Sequence, residues 1–202
     1  HPSASAVRAC LRRGERDAAM ALMTPAMAEI YRREEDAGRA PVFGDTCERA
    51  VLARLRSMTE TEFFALDEGR EGLCNRLYAA SRKAASLEEL LAAAKTKRYA
   101  YARLRRMVLW AYLGLTPADF PKNLPYLRVL AANGTGCGLL AKMRKCAALP
   151  VLTKPADVRR LDTAARRLFA QEARATDLYT LAYPNLAAAA GGTEWKEGPV
   201  IL

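Results

Sequence analysis

Residues 95–115 read KTKRYAYARLRRMVLWAYLGL, and most of what the sequence predicts starts from this stretch. The first twelve of these residues carry six cationic side chains and two tyrosines, with no acid among them. The apolar residues that follow end at Gly114, a residue type that commonly terminates helices, and Thr96 can cap the start. The stretch therefore predicts one helix that begins near Thr96 and ends at Gly114.

The predicted helix has two different faces. Its 3.6-residue period places Leu104 and Val108 on one face and Arg98, Tyr101 and Arg105 on another. The apolar face can pack in a core while the other face presents guanidinium groups and an aromatic ring outward. Because arginine binds phosphate bidentately and tyrosine stacks on bases, this face suits RNA. The alternative is a charged face that only keeps the helix solvated.

The composition of the whole chain points in the same direction. Its 202 residues are 51% hydrophobic, enough for a substantial core in one domain or in two small ones. The formal net charge is +10, which favours a polyanionic partner such as nucleic acid. No apolar run is long enough to span a membrane, and arginines interrupt the first apolar positions. Neither a membrane partner nor a signal peptide is therefore predicted.

Residues that commonly support catalysis are sparse. The only histidine is His1, at the terminus, which argues against histidine base chemistry. Five cysteines without close pairs indicate reduced thiols of a cytoplasmic protein rather than disulfides or a zinc site, and no metal site is predicted. Glu68 and Glu71 could form a carboxylate pair, but the sequence favours ion pairing with Arg70 and Arg76. The chain alone does not read as a complete enzyme.

The predicted fold class is mainly α. Helical patterns fill the chain as far as residue 115. Beyond it, residues 126–131 and 149–153 are plausible strands on either side of a helix over 139–146, which predicts a βαβ unit. The glycine-rich residues 133–138 are predicted to form a turn, because they lack the ending of a phosphate-binding P-loop. The prediction is a helical bundle followed by a small βαβ element with a short two-stranded parallel sheet.

The start of the chain has the composition of a small anion site. Ser3 or Ser5 can cap a helix that runs to Gly14, and Arg8 lies on its first turn. Ordinary helix capping is the alternative explanation for these residues. Because a protein seldom begins at such a motif, we expect the chain to be cut from something longer.

Four short motifs follow one another in a specific order. They are SASAVR at 3–8, EGLCNRL at 71–77, KTKRY at 95–99 with Arg103 and Arg106, and PYLRVL at 125–130 with LPVLT at 149–153. This ordered set resembles the bacterial tRNA(Met) cytidine acetate ligase family, over nearly the whole chain up to about residue 183. Ser5 and Val7 stand where the first motif of the family usually has Thr and Ile.

The resemblance implies an enzyme that activates acetate with ATP, forms an acetyl-adenylate and acetylates N4 of the wobble cytidine of elongator tRNA(Met). By the same resemblance, Arg8 contacts the nucleotide, and Ser3 and Ser5 lie beside its phosphates, so these three residues are expected to bind ATP. The residues expected to bind tRNA are Arg76, Lys95, Lys97, Arg98, Tyr99, Tyr101, Arg103, Arg105 and Arg106.

The N-terminal half of that family, with its nucleotide-binding residues, has no counterpart in this sequence. We therefore expect residues 1–14 to end a missing nucleotidyltransferase domain, 15–115 to form a helical RNA-binding region, and 116–202 to form a small α/β region with C-terminal helices and a tail. On this interpretation the chain is the C-terminal tRNA-binding region of the ligase. ATP and acetate belong to the complete enzyme, and the chain without its N-terminal catalytic half is expected to bind neither and to be inactive.

Two other functions remain open at this point. A non-enzymatic helical protein that binds DNA would explain the positive charge, although no helix-turn-helix spacing is clear. A protein-interaction module with incidental charge would show no salt-dependent binding of nucleic acid. The oligomeric state is not indicated by the sequence.

Overall fold

The computed structural model describes residues 2–66 and 72–202. These residues form ten α-helices and four two-residue strands. The helices are α1 (Ala4–Arg12), α2 (Arg16–Ala21), α3 (Pro25–Asp36), α4 (Glu48–Ser57), α5 (Glu60–Phe64), α6 (Leu73–Lys83), α7 (Leu87–Ala94), α8 (Tyr101–Leu113), α9 (Gly134–Cys146) and α10 (Thr163–Thr180). The strands are β1 (Leu127–Arg128), β2 (Ala131–Ala132), β3 (Val151–Leu152) and β4 (Val200–Ile201). Within the described ranges, no helix is long and apolar enough to cross a membrane.

The chain divides into two compact units, each built from segments that are distant in sequence. Unit 1 comprises His1–Thr46 and Tyr179–Gly191. Unit 2 comprises Cys47–Leu178 and Gly192–Leu202. The predicted domain boundaries at residues 14 and 115 stay a prediction.

Unit 1 joins α1 to α3 with the segment that returns near the end of the chain. Thr24 caps α3 by accepting a hydrogen bond of 3.3 Å from the backbone N–H of Met27. The helix is followed by Gly38, whose φ of +71° lies in the left-handed region. Its carbonyl accepts a hydrogen bond of 3.0 Å from the amide of Asn185, and a Cβ at this position would clash with that residue. Residue 38 must therefore be glycine.

The larger core of unit 2 is formed by α4 to α8. Leu55, Phe63 and Leu104 are among its deepest side chains, each at most 1% exposed. From α8, Leu104 and Val108 are buried, as the apolar face of that helix predicts. Phe64, a core candidate by its apolar character, is instead 51% exposed because the short helix α5 turns only one of its two phenylalanines inward.

Two exposed arginines next to this core each bind the carboxyl end of the other's helix. Arg56, near the end of α4, donates hydrogen bonds to the carbonyls of Ser81 at 3.3 Å and Ala84 at 2.8 Å, at the end of α6. Arg82 of α6 donates in return to the carbonyls of Arg56 and Met58. Because the last carbonyls of a helix have no partner within the helix, these cations satisfy groups that folding would otherwise leave unpaired.

The prediction of a single sheet is wrong, although the predicted parallel pairing is present between β1 and β3. β1 pairs in parallel with β3, and β2 pairs in parallel with β4, so the described residues form two separate two-stranded sheets. The predicted strand over 126–131 is divided because the chain changes partner within it. The amide of Val129 donates to the carbonyl of Leu152 at 3.0 Å, whereas the carbonyl of Leu130 accepts from the amide of Val200 at 3.0 Å.

The glycine-rich residues 133–138 do not form the predicted turn. They form the first turns of α9, capped by Asn133, whose side-chain oxygen accepts a hydrogen bond of 2.9 Å from the amide of Gly136. Three glycines lie within this part of the helix, where glycine is unfavourable by roughly 1 kcal/mol each relative to alanine. The cap and the later residues of the helix outweigh that cost. No residue of α9 is buried.

A second, smaller core lies against β1, β3 and α10. Its buried residues are Tyr126, Leu152, Val158, Leu161, Ala165, Phe169 and Ala173. Arg128 closes one side of it, with its guanidinium carbon 5.1 Å from the centroid of the Phe169 ring. The same guanidinium forms ion pairs with Glu172, at 3.4 Å, and with Glu194. Burial raises the pKa of Tyr126 in this core, next to Glu172.

Candidate nucleic-acid interface

The basic stretch enters α8 later than its sequence predicts. The helix begins at Tyr101 with Ala100 as its N-cap residue, and residues 95–100 before it are not helical. Thr96 is not the cap, because its hydroxyl accepts a hydrogen bond of 3.2 Å from the amide of Arg98 and so holds a bend in the chain. Among the described residues, no side chain caps the start of α8, and its first turn contains no acid. The positive end of this helix therefore lies next to the basic segment, and no described acidic side chain caps it.

Tyr101, the first residue of α8, has two cations over its ring. The ammonium nitrogen of Lys95 lies 5.6 Å from the ring centroid, and the guanidinium carbon of Arg105 lies 5.8 Å from it. Tyr101 is 44% exposed, and Arg105 is exposed as well. Cation–π contact restrains long side chains that otherwise lose rotamer freedom on binding. Arg105 is thus held at the surface in a limited set of conformations, and the half-buried Lys95 also donates a hydrogen bond to the carbonyl of Thr96.

Two further arginines of α8 lie over rings that belong to the helical core. The guanidinium carbon of Arg103 is 5.8 Å from the ring centroid of Tyr99, which is 4% exposed. That of Arg106 is 5.7 Å from the ring centroid of the partly buried Trp110. In the part of the chain that the structure describes, no carboxylate lies within ion-pair distance of Arg105 or Arg106.

The remaining predicted tRNA-binding residues have different surroundings. Lys97 and Arg98 are exposed in the bend that precedes α8. Arg76, on α6, donates hydrogen bonds to the carbonyls of Ala93 at 3.0 Å and Ala94 at 3.3 Å. It therefore caps the end of α7 and holds the chain at the point where the basic segment begins. Whether these residues contact RNA stays a prediction.

The residues predicted to bind ATP lie together at the start of α1, in unit 1. The hydroxyl of Ser3 accepts a hydrogen bond of 3.1 Å from the amide of Ala6, so ordinary capping accounts for this serine. Ser5 and Arg8 are exposed, and no described group lies within hydrogen-bond distance of either side chain. Nucleotide binding by these three residues stays a prediction.

Several predicted features fall outside the described residues. They include His1 and three residues of the predicted carboxylate pair and its ion-pairing alternative, namely Glu68, Arg70 and Glu71. Within 2–66 and 72–202, no group of three or more histidine, cysteine, aspartate or glutamate side chains is placed to hold a metal ion.

Sequence reasoning missed Asp119, which anchors the turn after α8. Its side chain accepts hydrogen bonds from the amide of Thr116 at 2.8 Å, from Arg167 at 2.7 Å and from Gln171 at 2.8 Å. Burial acts to raise the pKa of this carboxyl, but the hydrogen bonds from Thr116 and Gln171 outweigh it and hold the pKa below its ordinary value. The signal in the sequence is the Thr116 to Asp119 capping box, which indicates the turn but not its partners on α10.

The comparisons with known proteins fit the whole chain. The model of a family described as HIGH Nucleotidyl Transferase matches residues 1–194. The tRNA(Met) cytidine acetate ligase of Acetivibrio thermocellus is 30% identical over 186 residues, which cover 89% of this chain and 45% of that protein. The enzyme of the same name from Thermotoga petrophila is 28% identical over 216 residues, which cover 99% of this chain and 51% of that protein.

A solved structure has the same fold. The crystal structure of Thermotoga maritima TmcAL bound with alpha-thio ATP is similar with a TM-score of 0.93 and 25% sequence identity. The match covers 100% of this chain and 52% of that chain. The chain thus spans about half the length of the curated relatives and of the solved structure that it matches.

These matches correct two predictions and place the chain in a family. The predicted function, a C-terminal tRNA-binding region alone, is wrong because the nucleotidyl transferase family model matches residues 1–194. The matches also do not support the predictions that this chain is inactive and that it binds no cofactor. The predicted fold class is also wrong, because the whole chain matches the TmcAL fold over its full length. The chain belongs to the HIGH nucleotidyl transferase family.

Proposed function

We propose that this chain acts as part of a tRNA(Met) cytidine acetate ligase, which joins acetate to a cytidine of tRNA(Met) with ATP as the activating substrate. Relatives of that name are 30% and 28% identical to it, and the similar TmcAL structure is bound with an ATP analogue. Since the chain spans about half the length of these proteins, their substrates and activity are brought here as a proposal.

The observation that carries the proposal is the basic start of α8, which no described side chain caps. The backbone N–H groups of the first turn, the positive end of the helix dipole and the cations Lys95 and Lys97 lie in one short segment. Arg105 and Arg106 continue it along the helix, with no described carboxylate within ion-pair distance of either. A phosphate backbone supplies the repeated negative charge that such a segment lacks.

We also propose that ATP binds at the start of α1. Arg8 is exposed there beside Ser5, with no described acid as a partner. An exposed guanidinium beside a helix start suits the phosphates of ATP, whose negative charge increases on one oxygen as adenylyl transfer proceeds. Arg8→Met is expected to weaken ATP binding several-fold, while Arg32→Met, an exposed arginine of α3 in the same unit, leaves it unchanged.

Binding of tRNA(Met) at several salt concentrations tests the proposal. The unsubstituted chain is expected to bind with an affinity that falls steeply with salt and to prefer tRNA(Met) over duplex DNA. The variant Lys97→Glu with Arg105→Glu is expected to bind more weakly and to have a shallower slope of log affinity against log salt. The slope should fall by roughly 0.7 to 0.9 for each phosphate that the variant can no longer neutralise.

The matched control is Lys142→Glu with Arg159→Glu. It makes the same change in charge and in residue type at exposed positions outside the basic segment. Equal losses of affinity in both variants would mean that the total charge, and not the start of α8, attracts the RNA. Equal binding of tRNA(Met) and duplex DNA would favour the DNA-binding alternative, and salt-independent or absent binding the protein-interaction module.

A further inference from the structure

An exposed aromatic pair lies beside the arginines of α8. The ring of Trp110 is partly buried against the helical core, and the ring of Phe120 lies against it with 5.2 Å between the centroids and an interplanar angle of 41°. Phe120 remains 52% exposed. Arg106 lies over the Trp110 ring at 5.7 Å, so a cation and an open aromatic face occupy the same place on the surface.

The turn that carries Phe120 is firmly held, so the exposure of this ring does not come from a loose loop. Phe120 directly follows the 3₁₀ turn Pro117–Asp119, and its amide donates to the carbonyl of Pro117 at 3.3 Å. The Asp119 side chain is only 8% exposed and accepts hydrogen bonds from Arg167 and Gln171 of α10. The fold therefore fixes an apolar ring at the surface and leaves half of it uncovered.

We propose that Trp110 and Phe120 form a stacking platform for an unstacked base of the RNA that binds along α8. Every base has an apolar π-face, and loops and ends of RNA offer bases that are free to leave their neighbours and stack on protein rings. Arg106, four residues before Trp110 on the same face of the helix, can hold a phosphate next to that base, while Arg105 lies over Tyr101 on a neighbouring face. This inference rests on the proposed function and names the part of the RNA that the site takes.

The charge around the platform selects this occupant over an apolar protein surface. A protein helix or a sheet edge packed on Phe120 would bury the guanidinium of Arg106 next to it, without a described carboxylate within ion-pair distance to compensate. A nucleotide brings the compensating charge with it. One ligand then stacks on the aromatic rings and compensates the charge of Arg106.

The fluorescence of Trp110 can report whether a base stacks on the platform. The chain has two tryptophans, so in a Trp195→Phe background Trp110 is the only one. Titration with tRNA(Met) or with single-stranded oligouridylate is expected to quench its fluorescence, since a base stacked on the ring is an efficient quencher. Duplex DNA of the same phosphate concentration, whose bases stay stacked, is expected to leave it nearly unchanged.

Substitution of Phe120 gives a second, independent measurement in the otherwise unsubstituted chain. Phe120→Ala is expected to weaken tRNA(Met) binding roughly 5- to 150-fold, the range that corresponds to the loss of one base-stacking ring, with the salt slope unchanged. Phe120→Leu keeps an apolar side chain against Trp110 but has no π-face, and it is expected to lose affinity as well. Phe64→Ala, which removes an equally exposed phenylalanine from α5, is the control and is expected to have no effect.

The outcomes separate this inference from the proposed function. Salt-dependent binding of tRNA(Met) with no quenching of Trp110, and with equal affinities for the Phe120→Ala and Phe64→Ala variants, would overturn the platform and leave the proposed function intact. Absence of salt-dependent tRNA binding by the unsubstituted chain would instead overturn the proposed function. Equal quenching by duplex DNA would also contradict base stacking.

Discussion

The arginines of α8 and those around β1 and α10 differ in their partners. Arg105 and Arg106, which we call the surface set, lie over aromatic rings and have no described carboxylate within ion-pair distance. Arg128, Arg167 and Arg174, the structural set, donate to carboxylates or to backbone carbonyls of other elements. The surface set is exposed on α8, whereas the structural set links elements of unit 2 to one another.

This difference shows why a net charge of +10 is a poor measure of a binding surface. The charge of Arg128 is already balanced by Glu172 and Glu194, and that of Arg167 by Asp119. Counterion release on binding a polyanion depends on cations that are free to meet phosphates. The surface set should therefore govern the salt dependence of binding, and the structural set should govern stability.

The largest effect on stability is expected from Arg128→Met. The substitution keeps an apolar stem over the Phe169 ring but leaves Glu194, whose side chain is 20% exposed, without its cation. We expect the free energy of unfolding to fall by about 3 kcal/mol, the lower end of the range for breaking a buried ion pair, because this pair is only partly buried. Urea unfolding measures it.

A matched control for that variant is Arg159→Met, which removes an exposed arginine and is expected to change stability by less than about 0.5 kcal/mol. A loss of stability in the control as large as that of the Arg128 variant would remove the distinction between the two sets. The folded Arg128 variant is also expected to keep the salt slope of tRNA binding unchanged.

Acidification is expected to weaken the interactions of the structural set. Burial acts to raise the pKa of Glu194, but hydrogen bonds from Thr176 and Arg128 hold it below its ordinary value of 4.5, and the pKa of Asp119 is likewise below 3.8. A carboxyl whose pKa is lower in the folded than in the unfolded chain stabilises the fold fully above its ordinary pKa. That contribution is lost as the pH falls through the lower, folded value.

We therefore expect the free energy of unfolding contributed by these groups to be constant near neutral pH and to decline below about pH 4.5. Urea unfolding across this range, compared between the unsubstituted chain and Asp119→Asn, measures the effect. The asparagine variant should be less stable at neutral pH and should decline less on acidification. Parallel curves for the two proteins would show that Asp119 does not carry a lowered pKa.

A smaller effect is expected from Arg174→Met. Arg174 donates a hydrogen bond of 2.6 Å to the carbonyl of Leu113, at the end of α8, from an exposed position on α10. Loss of one such bond should lower the free energy of unfolding by about 1 kcal/mol. If the variant instead changed the salt slope of tRNA binding at unchanged stability, Arg174 would belong to the surface set.

The smallest effect is expected from Arg105→Lys within the surface set. The charge is kept, but the planar guanidinium over the Tyr101 ring and its bidentate donors are removed. We expect tRNA affinity to fall about two- to threefold, or roughly 0.5 kcal/mol, with the salt slope and the free energy of unfolding unchanged. A loss of affinity as large as that of charge reversal would mean that Arg105 makes an interaction that depends on guanidinium geometry alone.

Local periodicity predicted much of the helical part of the fold. Leu104 and Val108 recur at helical spacing, and the structure buries both. The sequence predicts the parallel pairing of β1 with β3, but the sheet of β2 and β4 could not be found in this way, because Ala131 pairs with Val200, a partner far along the chain that no local pattern identifies. The prediction for residues 133–138 is wrong for a different reason, because the Asn133 cap is a local signal that the glycines after it obscure.

The sequence predicts the residue types of the candidate site, but not which of these residues contact one another. The sequence shows that Arg76 and Arg105 are both cationic, yet only a tertiary contact distinguishes the capping role of Arg76 from the ring contact of Arg105. The pairing of Trp110 with Phe120 depends on the turn that Asp119 holds, whose partners on α10 lie about fifty residues away. The contacts of Arg76 and Phe120 come from the fold, whereas Arg105 contacts Tyr101, a neighbour on the same helix.

The hydrogen bond between Gly38 and Asn185 has a consequence for how the chain folds. The first segment of unit 1, His1–Thr46, is synthesised well before its other segment, Tyr179–Gly191. Closing such a long loop is entropically unfavourable and slow, and the loop must close before the contacts that stabilise it can form. Unit 1 therefore remains incomplete on the ribosome while α4 to α8, whose packing is local in sequence, can already form.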